Sequence, residues 1–249
     1  MLVSTTLQPS SSLQTVVFDM DGVIVDSHPA HRCAWKEFLR AVGKEVCNSD
    51  LDFVMDGRKR EDILIHFLGP LTEAQLEEYG HLKNELFWQA AAEIVPIPGV
   101  FEFIERVHSA GITLAVATSA SATRTQSILS RMGLLTRFSA VVTGNEVSKG
   151  KPDPGIYQLA CQRVNCPPSA AVAVEDAASG IRAAKNAGLK CVGIAGHKSA
   201  DPLIAAGADC VLRDFVDINL QEFHALIGMQ QWYAATENVK PNEAGLLRR

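Results

Sequence analysis

Asp19 and Asp21 stand one residue apart, directly after the apolar run TVVF. Thr118 and Ser119 follow a second apolar run, ITLAVA; Lys149 and Lys151 lie just beyond a third, SAVVTG; Glu175 and Asp176 close a fourth, AVAV. Each signal alone is weak, because acidic pairs often cap helices and a lysine in a turn is usually solvated. Their shared position at the ends of apolar runs is not what independent accidents would produce. Four carboxylates brought into one cleft repel one another. A cation must offset them, and oxygen ligands beside a small anionic substrate suit Mg²⁺.

The elements around these residues account for that convergence. Thr15 to Asp19 is a short β-rich run, and Gly22 allows a tight turn after it. Up to about Val95 the pattern is helical: HRCAWKEFLRAVG, REDILIHFLG and LTEAQLEEYGHLKNELFWQAAAEI carry apolar residues at helical spacing, with no evident strand. Pro96 and Pro98 end this insert. Beyond Gly99, amphipathic helices alternate with near-continuous apolar strands: ITLAVAT, SAVVTG, AVAVED, KCVGIAG and a weaker one near DCVL. That alternation specifies a parallel sheet covered on both faces. The expected architecture is an α/β, Rossmann-like, doubly wound parallel sheet with a helical cap inserted after the first strand. Its divisions are an arm over 1–14, a core over 15–27 and 96–235, a cap over 28–95 and a tail over 236–249. In such sheets ligands bind beyond the carboxyl ends of the strands, where strand order reverses.

FDMDGVIVDS, VATS, GKPDPGIY and VEDAASGIRAAKNAG resemble, in order, the four motifs of the haloacid dehalogenase-like hydrolases, in the branch of helical-cap phosphatases and β-phosphoglucomutase. The resemblance runs from about Val16 to Asp214. It implies that Asp19 attacks phosphorus to form an aspartyl-phosphate, dividing one difficult displacement into two. It makes Asp21 the acid/base that protonates the leaving oxygen and then deprotonates water. Thr118, Ser119 and Lys151 would hold the phosphoryl oxygens, with Lys149 the lesser lysine. Mg²⁺ would be bound by Asp19, Asp21 (through its carbonyl), Glu175 and Asp176. His31, Trp35, Arg60 and Lys83 resemble substrate-facing cap residues. An aromatic on an amphipathic helix is more often core, however, and Arg60 can pair with acids of its own helix.

A phosphatase and a phosphosugar mutase share this machinery. The HxxxW pattern of His31 and Trp35, with Arg60 and Lys83, leans to the mutase; Asp56, where the mutase has a cap lysine, and SASATR, which lacks its Lys-Asn pair, lean to the phosphatase. The expectation is a Mg²⁺-dependent phosphohydrolase of a small phosphomonoester, a sugar phosphate by resemblance, with the mutase as the alternative. A non-catalytic binding protein on the same scaffold is the third reading, which loss of Asp19 or Asp21 would have marked. A dehalogenase would not need the metal-binding acids.

The bulk properties agree. A chain of 249 residues, 47% hydrophobic and 20% charged, can bury a real core. A net charge of -5 argues against nucleic acid as a partner. Six cysteines without a CxxC pair read as reduced core residues. No run is long and apolar enough to span a bilayer, and the N-terminus lacks the basic start and apolar stretch of a signal peptide. The expected protein is therefore cytoplasmic, monomeric or homodimeric, and acts on a small phosphorylated metabolite.

Overall fold

A computed structural model describes residues 13–91, 94–216 and 218–228. Six parallel strands form the main sheet in the order β5-β4-β1-β6-β7-β8. They are β1 (Thr15–Phe18), β4 (Thr113–Thr118), β5 (Ala140–Thr143), β6 (Ala171–Glu175), β7 (Lys190–Ile194) and β8 (Cys210–Leu212). Every residue of β1 is buried, as a central strand covered on both faces requires. Val16 and Phe18 face a core layer completed by Phe103, Ile128 and Phe223, whereas Val17 faces a second layer with Tyr157, Ile181 and Leu203. Those residues come from α5 (Val100–Ser109), α6 (Ala122–Arg131) and α10 (Leu220–Gly228) on one face. On the other they come from α7 (Gly155–Arg163), α8 (Ala178–Asn186) and α9 (Asp201–Ala205). The chain leaves β1 towards β4 and β5, then returns to its other side with β6. The order therefore reverses at β1, and its carboxyl end is where a ligand site belongs.

Between β1 and β4 the chain makes α1 (His28–Ala41), α2 (Asn48–Val54), α3 (Arg60–Leu68) and α4 (Glu73–Ala90). These helices enclose a small core of their own, built on Trp35, Phe38, Leu39, Leu51, Ile63 and Leu64. Two two-residue strands, β2 (Val25–Asp26) and β3 (Val95–Pro96), pair antiparallel where the chain enters and leaves this unit.

Several boundaries differ from the sequence reading. The first cap helix starts at His28 because Pro29 fits the first helical turn, where a missing N–H is harmless. The short α2 and the two-residue strands were not foreseen. Gln14, assigned to the arm, already pairs with the sheet through its N–H to Ala170 O at 2.9 Å. The rest of the arm up to residue 12, and the tail over 236–249, lie outside the described residues. The cysteines are corrected in part: Cys161, Cys166, Cys191 and Cys210 are buried, but Cys33 and Cys47 are exposed on the cap.

Candidate active site

At the carboxyl end of β1, Asp19 continues the sheet through its N–H to Val174 O at 2.9 Å, and its side chain is buried. Lys151, from the loop after β5, reaches beneath the strand ends. Its Nζ donates to Asp19 Oδ1 at 2.6 Å, Glu175 Oε1 at 2.5 Å and Ala117 O at 3.1 Å. Burial opposes the lysine's charge, yet Asp19 and Glu175 raise it above the ordinary lysine range. Asp19 goes the other way. Burial pushes its carboxyl well above the usual carboxylate range, Lys151 opposes this, and Glu175, Asp21 and Asp176 add to it.

Glu175 accepts from Lys151 and the Tyr157 hydroxyl at 2.6 Å through Oε1, and from the N–H groups of Asp176 at 3.1 Å and Ala177 at 3.4 Å through Oε2. Burial, then Glu175 and Asp19, drive the Tyr157 phenol well above its usual value, which keeps it a donor. A Cβ on Gly180 would meet the Glu175 carboxylate at 2.0 Å, so only glycine lets α8 lie this close. Gly22, at φ +78°, turns the chain after Asp21, and a Cβ there would meet Asp176 Oδ2 at 2.3 Å.

Asp19, Glu175 and Asp176 each present a ligand atom within 4.8 Å of one another. Among the described residues Lys151 is the one cation hydrogen-bonded into this trio. Asp176 Oδ2 is buried without a hydrogen bond, although His28 Nε2 lies 2.9 Å away and Lys198 Nζ 3.8 Å. An orphaned carboxylate oxygen among three acids fits a hard divalent cation such as Mg²⁺.

Asp21 is placed differently from Asp19. Arg124, on the first turn of α6, donates Nη1 to Oδ1 at 3.0 Å and Nη2 to Oδ2 at 2.7 Å, and the Ser27 hydroxyl donates to Oδ1 at 2.6 Å. Burial raises the Asp21 carboxyl, but Arg124, His31 and Ser27 together hold it well below the usual range. Arg124 Nη1 also lies 2.5 Å from His31 Nε2, and His31 Nδ1 lies 2.9 Å from Lys83 Nζ. Burial and the charges of Lys83 and Arg124 lower His31 to about 3, against the opposing pull of Asp21. Burial, with Arg124 and Arg60, also lowers Lys83 well below the lysine range.

One pocket brings together Asp19, Asp21, Thr118, Ser119 and Asp176 with all four cap residues named from sequence. Lys151 and Glu175 lie beneath its lining, tied to Asp19 by the hydrogen bonds above. The Thr118 hydroxyl accepts from the N–H of Ala120 at 3.1 Å, whereas the Ser119 hydroxyl donates to the cap, to Gly57 O at 2.7 Å. Trp35 serves both readings: it packs edge-on to Phe38 in the cap core and also borders the pocket. Arg60 pairs with Glu61 at 2.9 Å and likewise faces the pocket. Lys149 is exposed. Sequence reading missed Arg58 and Arg124 in the lining, His28 beside Asp176, and Tyr157 beneath Glu175. The TR step of SASATR was the one visible hint of Arg124, an arginine three residues beyond a helix-capping serine.

Residues 16–194 match the model of the haloacid dehalogenase-like hydrolases, and the chain belongs to that family. It is an enzyme of the family's phosphatase and phosphoglucomutase branch, as its relatives show. It is 32% identical to validoxylamine A 7'-phosphate phosphatase of Streptomyces hygroscopicus subsp. limoneus, across 82% of this chain and 95% of that protein. It is 30% identical to β-phosphoglucomutase of Bacillus subtilis, across 85% of this chain and 94% of the relative. Among solved structures, CbbY from Rhodobacter sphaeroides in complex with phosphate superposes with a TM-score of 0.71 at 30% identity, covering 82% of this chain and 96% of that one. Among the described residues no helix is long and apolar enough to cross a membrane.

Proposed function

We propose that this chain is a cytoplasmic, Mg²⁺-dependent phosphohydrolase of a small phosphomonoester, a sugar phosphate in class, working through an aspartyl-phosphate on Asp19. The observation that carries this reading is the pairing of Asp19 with Lys151 inside an acidic trio at the switch point of the sheet. Lys151 engages Oδ1, and Oδ2 of Asp19 makes no hydrogen bond among the described residues, which leaves it the attacking oxygen. Attack on phosphorus forms the Asp19–phosphorus bond and breaks the ester bond, whose electron pair goes to the leaving oxygen with a proton from Asp21. Water then attacks the same phosphorus, gives its proton to Asp21 and expels the Asp19 carboxylate.

Lys151 offsets charge on the transferring group, and Thr118 and the backbone at Ser119 bind its oxygens. Asp19, Glu175 and Asp176, with the carbonyl of Asp21, would hold the Mg²⁺. Glu175 also fixes Lys151. The bound ion would supply charge neutralisation among the acids and at the phosphoryl oxygens. His31, Trp35, Arg60 and Lys83 form the substrate side of the pocket.

Asp56 supports hydrolysis over mutase chemistry. Where a mutase would offer a lysine to substrate, it turns instead to the core, accepting from Ser179 N–H at 3.0 Å. The test is phosphate release from a panel of phosphomonoesters with Mg²⁺, with glucose 1-phosphate isomerisation followed in parallel. Free phosphate that disappears in Asp19→Asn, with the melting curve retained, is the expected result. Isomerisation with little free phosphate would establish the mutase, and turnover by Asp19→Asn would sink the nucleophile.

A further inference from the structure

Arg124 sits where a helix disfavours a cation. It occupies the first turn of α6, behind the capping Ser121, with no acidic residue in that turn. It is nevertheless buried, stacked with Cζ 5.0 Å from the centroid of Phe87 of the cap, and it grips both oxygens of Asp21. With Ser27 on Oδ1 as well, three donors fix the carboxylate and leave one acceptor position on Oδ2, and Asp21 cannot turn to a leaving group while the fork holds it. If Asp21 is the acid/base of the reaction, as the proposed function requires, Arg124 must release it in each turnover.

Release needs a replacement. A buried guanidinium stripped of its carboxylate is an uncompensated charge, and a neutral sugar hydroxyl cannot substitute for a two-pronged ionic partner. A second oxyanion can, because carboxylate and phosphate both match the planar fork. The surroundings favour one: the cap lends Arg58, Arg60 and Lys83 to the pocket against Glu61 alone among its acids, within the described residues. The Nε atoms of Arg58 and Arg60 are buried without a hydrogen-bond partner. We propose that Arg124 reads an oxyanion on the leaving-group side of the substrate: the oxyanion takes over its fork, and Asp21 is thereby freed to face the leaving oxygen. Arg124 is then a specificity residue for substrates bearing a carboxylate or a second phosphate, and a positioning residue for Asp21.

Matched substrates test this: glucose 6-phosphate against 6-phosphogluconate for the carboxylate, and fructose 1-phosphate against fructose 1,6-bisphosphate for the phosphate. The wild-type protein should favour the member with the added oxyanion in one or both pairs, by about tenfold or more in kcat/KM, a factor equivalent to about 1.4 kcal/mol. Arg124→Gln should collapse that ratio towards one, through higher KM and lower kcat for the doubly anionic member alone. Arg124→Lys, which keeps the charge without the fork, should recover only part of it. A wild-type enzyme that hydrolyses esters with no such preference would overturn the inference while leaving the phosphohydrolase reading intact. So would an Arg124→Gln variant that slows both members equally. Absence of phosphate release from every ester would instead strike the proposed function itself. Should Arg124→Gln not fold, by its melting curve, the comparison of wild type with Arg124→Lys decides.

Discussion

His31 sits where three charged groups meet, with Arg124 at Nε2, Lys83 at Nδ1 and Asp21 3.6 Å away. Arginine and charged lysine can only donate, so each ring nitrogen faces a donor and the ring has no place for a second proton. The ring is thus held neutral, and its pKa of about 3 lies below the unfolded value of 6.5. The sign follows by linkage. Above about pH 6.5 neither state of His31 binds a proton. As pH falls from there towards 3, the unfolded chain takes up a proton that the folded one refuses, and stability is lost. His31→Gln should therefore flatten the decline in the urea midpoint between pH 7 and pH 5, and equal declines in the two proteins would refute the neutral ring. His31 was legible in the sequence as part of HxxxW, and Asp19, Asp21, Lys151 and Asp176 as residues closing apolar runs. Arg124 was not: it acquires meaning only when the fold brings it to Asp21, 103 residues away in the chain. Tyr157 likewise reads as an ordinary helix aromatic until Glu175 is found above it.

At the scale of elements, α8 begins without a cap of its own. Its N-cap residue, Ala177, has no side chain for the task. Asp56 of the cap unit supplies it, accepting from Ser179 N–H while its carbonyl accepts from the Ser179 hydroxyl. Neighbouring ties run from Ser119 Oγ to Gly57 O at 2.7 Å and from Lys59 Nζ to Val147 O at 2.9 Å. The loop 56–59 thus fastens the cap to two loops of the core and to the first turn of α8 beside the acidic trio. Replacing an N-cap acid by alanine costs about 1 kcal/mol. Asp56→Ala should lower stability by about that amount and also loosen the cap, read as a larger radius of gyration in solution scattering than the wild type has. A variant with an unchanged radius of gyration would reduce Asp56 to a local helix cap. Periodicity revealed the five later strands and the helices α5 to α8 that precede the first four of them, because continuous apolar runs leave few alternatives, but it did not reveal the five-residue α9. It could not reveal α2, which buries only Leu51 and Val54 over seven residues, or β2 and β3, whose two-residue pairing is set by where the chain enters and leaves the cap.

The molecule as a whole carries a net charge of -5, and three of its acids converge at the carboxyl end of the central strands, where, among the described residues, a single lysine is hydrogen-bonded among them. A fold that keeps such a group tolerates a local penalty in order to bind a cation. An ion that binds only the folded chain adds stability by mass action, about 2.7 kcal/mol at a hundredfold excess over its Kd. For a domain of this size that raises Tm by about 2–4 °C per kcal/mol. The Oδ2 of Asp176, buried without a hydrogen bond, makes this response specific. Asp176→Asn should abolish the Mg²⁺-induced rise in Tm. Without metal, the same variant should melt no lower than the wild type, since it removes a buried charge that nothing in the protein hydrogen-bonds. Calorimetry with Mg²⁺ and with a chelator gives both readings from one preparation. A metal-free variant markedly less stable than the wild type would show that His28 and Lys198 already satisfy this carboxylate. The acidic trio would then be a closed ion-pair network and not a site waiting for a cation.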